Sequence, residues 1–191
     1  NTGEQSPEFA AVGDVTGDGQ ADIVFQDNNE NLKYYNVAND STTDTNEDTD
    51  GPVKVGDVTG DGQGDIVFVD SNDNLKYYQV SNQTTTDTGE QAFNDVAVGD
   101  VTGDGQADIV FRDRSDDSLK YYNVSNGSTT DIGDTFGPIA TGDVTGDGQA
   151  DIVFGDSNSN LKYYNVADGS VTDTGEQASE VFGVADVTDT G

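Results

Sequence analysis

The chain has 191 residues, of which 31% are apolar, and its 38 acidic against 7 basic side chains give a formal charge of −31. A field this negative repels phosphate backbones and anionic headgroups, which argues against nucleic-acid binding and membrane insertion. With no Cys and no His, disulfides, thiolate sites and imidazole chemistry are all excluded.

From Asn1 the chain opens without Met, which reads as a processed secreted protein or a piece of something longer. The first residues do not form a signal peptide, and no apolar stretch approaches the length of a membrane span. The segment Gly-Asp-Val-Thr-Gly-Asp-Gly begins at Gly13 and returns at Gly56, Gly99 and Gly142, a period of 43 residues. A degenerate fifth copy starts at Ala185, and residues 13–25, 99–111 and 142–154 are identical. The chain is therefore read as a single repeat domain over 1–191: a partial repeat at 1–8, four full repeats at about 9–51, 52–94, 95–137 and 138–180, and a partial fifth at 181–191.

Short apolar runs between Gly, Asn and Asp predict four strands per repeat, in the second copy at 53–58, 65–70, 75–81 and 84–88. The last two are joined through Asn39-Asp40, Asn82-Gln83, Asn126-Gly127 or Asp168-Gly169, read as two-residue hairpin turns. The first strand is rich in small residues, suiting a crowded inner position. The Ile-Val-Phe run of the second is apolar on both faces and should be covered on both. Four short antiparallel strands at this spacing predict an all-β, β-propeller-type array of four blades with a partial fifth. The inner strand occurs once more than the other three, at 182–187, which leaves one strand surplus and available for a second copy of the chain.

The link between the first two strands carries the chemistry. Counting from its first Asp, positions one, three, five, seven and nine are Asp14, Thr16, Asp18, Gln20 and Asp22. They recur as Asp57, Thr59, Asp61, Gln63 and Asp65, as Asp100, Thr102, Asp104, Gln106 and Asp108, and as Asp143, Thr145, Asp147, Gln149 and Asp151. Alternate oxygens on a tightly curled loop suit a hard cation such as Ca²⁺, which takes about six to eight oxygen ligands. Gly at position six allows the sharp turn, and position seven offers its backbone carbonyl. An EF-hand would need Glu at position twelve, where Phe25, Phe68, Phe111 or Phe154 stands, so Asp at position nine has to close the site. About four Ca²⁺ per chain are expected, each loop loading nearly independently.

The run Asp-Val-Thr-Gly-Asp-Gly-Gln-Ala-Asp-Ile-Val resembles the calcium loop of FG-GAP or VCBS repeats, found in integrin α-chain-like β-propellers and in secreted lectins and adhesins. The resemblance covers every repeat. It implies calcium at the positions just named, a propeller fold and an extracellular or cell-surface setting. Thr at position three stands where the family more usually has Asp or Asn, and these repeats are shorter and fewer than an integrin blade set.

The Lys-Tyr-Tyr triplet places two aromatics on opposite faces of the third strand. Tyr34, Tyr35, Tyr77, Tyr78, Tyr121, Tyr122, Tyr163 and Tyr164 are candidates for stacking on sugars, or else pack between blades. The lysines at 33, 76, 120 and 162 are read as moderating the acidic surface. No carboxylate pair stands apart from its repeated equivalents, so no catalytic residue is assigned and the chain is not read as an enzyme. The reading is a calcium-binding, extracellular binding or adhesion module, multivalent and lectin-like, with glycans or a surface protein as partner. Two alternatives stay open: a structural or assembly domain with no ligand beyond calcium, and a polysaccharide-active enzyme domain.

Overall fold

The structure, a computed structural model, describes residues 9–177. The partial repeat at 1–8, the surplus strand at 182–187 and the fifth loop lie outside them. The described residues are all β, with fifteen strands and no helix, hence no helix long and apolar enough to cross a membrane.

Repeat one contributes β1 (Ala10–Gly13), β2 (Asp22–Gln26), β3 (Asn31–Asn36) and β4 (Ser41–Asp48), an antiparallel sheet in chain order. Repeat two contributes β5 (Lys54–Gly56), β6 (Asp65–Val69) and β7 (Asn74–Gln79), closed by the long β8 (Thr84–Gly99). Repeat three holds β9 (Asp108–Asp113), β10 (Ser118–Asn123) and β11 (Ser128–Asp134). Repeat four holds β12 (Ile139–Gly142), β13 (Asp151–Gly155), β14 (Asn160–Asn165) and β15 (Ser170–Gln177), again antiparallel in chain order.

Two differences from the expected strands have local causes. The 53–58 strand shortens to β5, because Asp57 and Val58 already belong to the loop. No break separates the fourth strand of repeat two from the first strand of repeat three: β8 runs through both, with β7 and β9 as its hydrogen-bonded neighbours. The chain divides at this point into two compact units, Asn1–Asn94 and Asp95–Gly191.

The hairpin turns are also longer than expected. Asn36 pairs with Ser41 across a four-residue connection, and only its last residue, Asp40, takes positive φ, as do Gln83, Gly127 and Gly169 in the other repeats. The amides of Gly127 and Gly169 donate to the carbonyls of Asn123 and Asn165, so the chain makes one helical turn before reversing. Side-chain oxygens of Asn36, Asn123 and Asn165 accept from backbone amides inside the same turns, which favours this longer form.

In the first unit the core joins Val15, Val24, Leu32 and Tyr34 of repeat one to Val53, Ile66, Phe68 and Tyr78 of repeat two. In the second it joins Ala97, Val101, Val110 and Leu119 to Ile139, Ile152 and Phe154, with Tyr121 and Tyr164 against it. Ile66, Val67 and Phe68 are all fully buried, so β6 is covered on both faces. Gly at the end of the first strand makes room for the next repeat: a Cβ on Gly13 would collide with Val55, and one on Gly99 would lie 2.9 Å from Thr141 Cβ.

A second repeated feature pins the hairpin between the second and third strands. Lys33, Lys76, Lys120 and Lys162 pair with Asp27, Asp70, Asp113 and Asp156 at 2.7, 2.8, 3.0 and 2.8 Å. These carboxylates also accept from amides two residues on, at Asn29, Asn72, Ser115 and Asn158. Burial alone would raise Asp70, but Lys76 and the side-chain and backbone amides of Asn74 outweigh it and hold its pKa at about 2. The four lysines are thus structural partners of specific carboxylates more than a diffuse counter-charge.

Candidate functional site

Each nine-residue loop is held by its own carboxylates, in the same way four times over. At position one, Asp14 Oδ1 accepts from the amides of Gly17 (2.7 Å) and Asp18 (3.2 Å), and its Oδ2 from Gly19 (2.8 Å). Asp57, Asp100 and Asp143 make the equivalent bonds. At position five, Asp18, Asp61, Asp104 and Asp147 accept from the amides of Gln20, Gln63, Gln106 and Gln149. The Gln20 and Gln149 amides hold Asp18 and Asp147 below the usual carboxylate range.

Position nine opens the second strand and is the buried member of the set. Asp22, Asp65, Asp108 and Asp151 are 0, 1, 1 and 1% exposed. In each, Oδ2 accepts from the amides of positions two and three: Val15 and Thr16, Val58 and Thr59, Val101 and Thr102, Val144 and Thr145. In repeat one the other oxygen, Asp22 Oδ1, also accepts from the amide of Val37 (3.4 Å). Burial pushes Asp65 and Asp108 up to about 6, and the neighbouring loop carboxylates, Asp61 and Asp57 for the first and Asp104 for the second, push the same way. Among the described residues no Lys or Arg forms an ion pair with a loop Asp.

The sequence reading missed one recurrent participant, the amide that ends the third strand. Asn36 Nδ2 donates to Thr16 Oγ1 (2.9 Å) and Asp18 Oδ2 (3.0 Å). Gln79, Asn123 and Asn165 bridge positions three and five of their own loops identically. An amide one residue after each Tyr-Tyr pair was the available signal.

The donor set is oxygen only: three carboxylates, a Thr hydroxyl and the position-seven carbonyl, a composition matched to a hard cation. Among the described residues no three carboxylates are drawn together as a ready metal cage, because position one faces the loop's own amides. The buried Asp at position nine, with no Lys or Arg paired to it among the described residues, is the feature that fits a cation best.

The tyrosines are divided between packing and surface. Tyr34 and Tyr78 are buried in the first core, and Tyr121 and Tyr164 pack against the second. Tyr35, Tyr77, Tyr122 and Tyr163 are half-buried, and the Tyr35 hydroxyl donates to Asp40 in the turn.

Fold and loops together define a class: an all-β repeat protein of antiparallel four-stranded units, each with an acidic, glycine-hinged loop between its first two strands. Residues 100–154, from the third loop through the fourth, match the family described as FG-GAP-like repeat. That stretch is therefore similar to FG-GAP-like repeats, which suggest an adhesion-type or structural β-rich domain. A search of curated proteins finds no match to the chain.

Proposed function

We propose that the chain is a calcium-binding, β-propeller-type repeat module that acts outside the cell or at its surface as a binding or adhesion element. The observation that carries the reading is the buried position-nine carboxylate, present in all four loops, without a cationic side chain beside it. Leaving such a charge uncompensated is costly, and a divalent ion on the same loop removes the cost. Positions one, three, five and nine, with the position-seven carbonyl, would hold the ion. It would supply charge compensation and loop rigidity, and no catalytic step is assigned. Glycans are the proposed ligand class, met by the half-exposed Tyr35, Tyr77, Tyr122 and Tyr163 on several equivalent repeats, where weak contacts gain avidity. Burial of Tyr34 and Tyr78 favours a second reading, a structural or assembly element with no ligand beyond calcium.

Calorimetric titration of chelator-stripped protein tests the cation. About four Ca²⁺ per chain are expected, and about one fewer in Asp65→Asn, whose amide oxygen can still accept from Val58 and Thr59. No heat and no change of melting temperature with Ca²⁺ would remove the cation from the account. A glycan array probed with the calcium-loaded protein then separates the readings: binding lost in a Tyr77→Ala, Tyr163→Ala variant that stays folded supports glycans, and a silent array supports the structural element.

A further inference from the structure

The turn between the third and fourth strands carries a repeated motif that neither the cation loops nor the tyrosines use. Asn39-Asp40-Ser41, Asn82-Gln83-Thr84 and Asn126-Gly127-Ser128 each read Asn-x-Ser/Thr without Pro in the middle, the acceptor pattern for N-linked glycans. A further triplet of this kind, Asn123-Val124-Ser125, runs into the third of these turns, and repeat four has Asp168-Gly169-Ser170 at the same place.

The fold sorts the four triplets. Asn39, Asn82 and Asn126 are each the third residue of a four-residue connection, and each is exposed together with its Ser or Thr, which opens the fourth strand. The middle residue takes positive φ, 57° at Asp40, 58° at Gln83 and 68° at Gly127, which brings the residue after it back onto the Asn side chain. The hydroxyls of Ser41 and Thr84 donate to Oδ1 of Asn39 and Asn82, and the amide of Ser128 donates to Asn126 Oδ1 at 2.9 Å. Asn123 is the opposite case. It is 4% exposed, and its Nδ2 donates to Thr102 Oγ1 (3.0 Å) and Asp104 Oδ2 (2.9 Å), so a sugar on that nitrogen would pull the amide off the third loop.

The turn itself asks only for a side-chain oxygen at its third residue. Asp168 supplies one to the Ser170 amide at 2.9 Å, as Asn126 does to Ser128. In a chain with 38 acidic residues, an amide here in three repeats is therefore not what folding demands. What the amide adds over the carboxylate is a nitrogen that can be glycosylated.

We propose that Asn39, Asn82 and Asn126 are N-glycosylation sites, while Asn123 and the repeat-four turn stay bare. The proposal rests on the reading that the chain acts outside the cell, since the sugar donor is met on the way out. That donor is an oligosaccharide joined through its anomeric carbon to a lipid pyrophosphate, and a membrane-bound oligosaccharyl transferase supplies the catalysis. The bond from Nδ2 to the anomeric carbon forms as the bond from that carbon to the phosphate oxygen breaks. The lipid pyrophosphate leaves with the electron pair, and one Nδ2 proton is released. Each glycan adds hydrated bulk at a turn whose Asn amide, at Asn39 and Asn126, already bonds to the Asn36 or Asn123 side chain that bridges the acidic loop.

The full chain, purified separately from the medium and surface and from the cytosol of the cells that make it, tests the proposal by mass spectrometry of its peptides. Electron-transfer fragmentation keeps a sugar on its own Asn and so tells 123 from 126. The exported chain is expected to carry glycan at Asn39, Asn82 and Asn126 and none at Asn123 or in the repeat-four turn. Asn39→Gln, Asn82→Gln and Asn126→Gln should each remove one glycan and leave the other two. An exported chain with bare turns, or with glycan on Asn123, would overturn the proposal and leave the location reading standing. A chain confined to the cytosol would overturn the location reading, and the proposal with it.

Discussion

The backbone carbonyl of Asp14 accepts a hydrogen bond from the amide of Gly64, so a residue that opens one loop is tied to the residue before the buried Asp of the next. The same tie joins Asp100 to Ala150. Substitution at the glycine beneath this joint separates strain from contact. Gly17 and Gly146 have φ of 72° and 77°, so Ala at either costs roughly 1 kcal/mol for the left-handed backbone alone. Only at Gly17 does the added methyl also displace Gln63. Gly17→Ala is expected to cost about 1 kcal/mol more than Gly146→Ala in denaturant unfolding. Equal losses would mean that the glutamine swings away freely.

The tie also modifies the expectation that loops load independently. Asp65→Asn should weaken cation binding at the loop of repeat one more than at the loop of repeat four. Amide shifts of Gly19 and Gly148 followed through a Ca²⁺ titration by NMR distinguish the two. Unchanged midpoints at both glycines would restore independence.

The Lys76–Asp70 pair predicts an acid limb of stability. The folded pKa of Asp70, about 2, lies below its ordinary value of 3.8, so its contribution is fully present above about pH 4 and is lost as pH falls from there towards 2. That contribution is roughly 2 kcal/mol, reasonable for a carboxylate 2% exposed. In Lys76→Met the Asp70 titration, read by carboxyl-carbon NMR, should move up by a unit or more. A titration that stays put would assign the depression to the Asn74 and Asn72 amides instead.

Gln83 occupies, at φ 58°, the turn position that Gly127 and Gly169 occupy in repeats three and four. Gln83 is exposed, so its replacement relieves backbone strain without removing packing. Gln83→Gly is therefore expected to stabilise the protein by roughly 0.5 kcal/mol in thermal or denaturant unfolding, the relief exceeding the entropy cost of Gly. A loss of stability would show that the glutamine side chain makes an interaction worth more than the strain.

Much of the repeat was legible because its punctuation is chemical. Glycine at positions four and six, the alternating oxygens of the loop and the Ile-Val-Phe run each constrain one backbone conformation or one face. What escaped had no side-chain signature, or had one that invited another explanation. Gly64 and Ala150 take part in the joint through backbone amides, and nothing about Ala or Gly announces a donor. Lys33 and its equivalents read as general charge balance in so acidic a chain, although Asp27, Asp70, Asp113 and Asp156 also recur once in each repeat, shortly before the lysine. The continuity of β8 escaped because the expected fourth strand, 84–88, stops just before a glycine, whereas Gly89 at φ 82° serves in a strand, where its amide bonds to Asp87.

The strict chain-order pairing of each sheet settles a problem that near-identical repeats create while the chain is still unfolded. Ala10–Gly13 would find the same Ile-Val-Phe partner in Asp22–Gln26, in Asp108–Asp113 or in Asp151–Gly155, and no side chain tells them apart. Connectivity does. Closing the short loop from Gly13 to Asp22 in place of one several repeats long saves loop-closure entropy at about 0.6 kcal/mol per doubling of length, and it is much the faster event. Kinetic proximity, with no code in the side chains, thus selects the correct partner, and a permuted chain opened inside that loop would lose the selection along with the site.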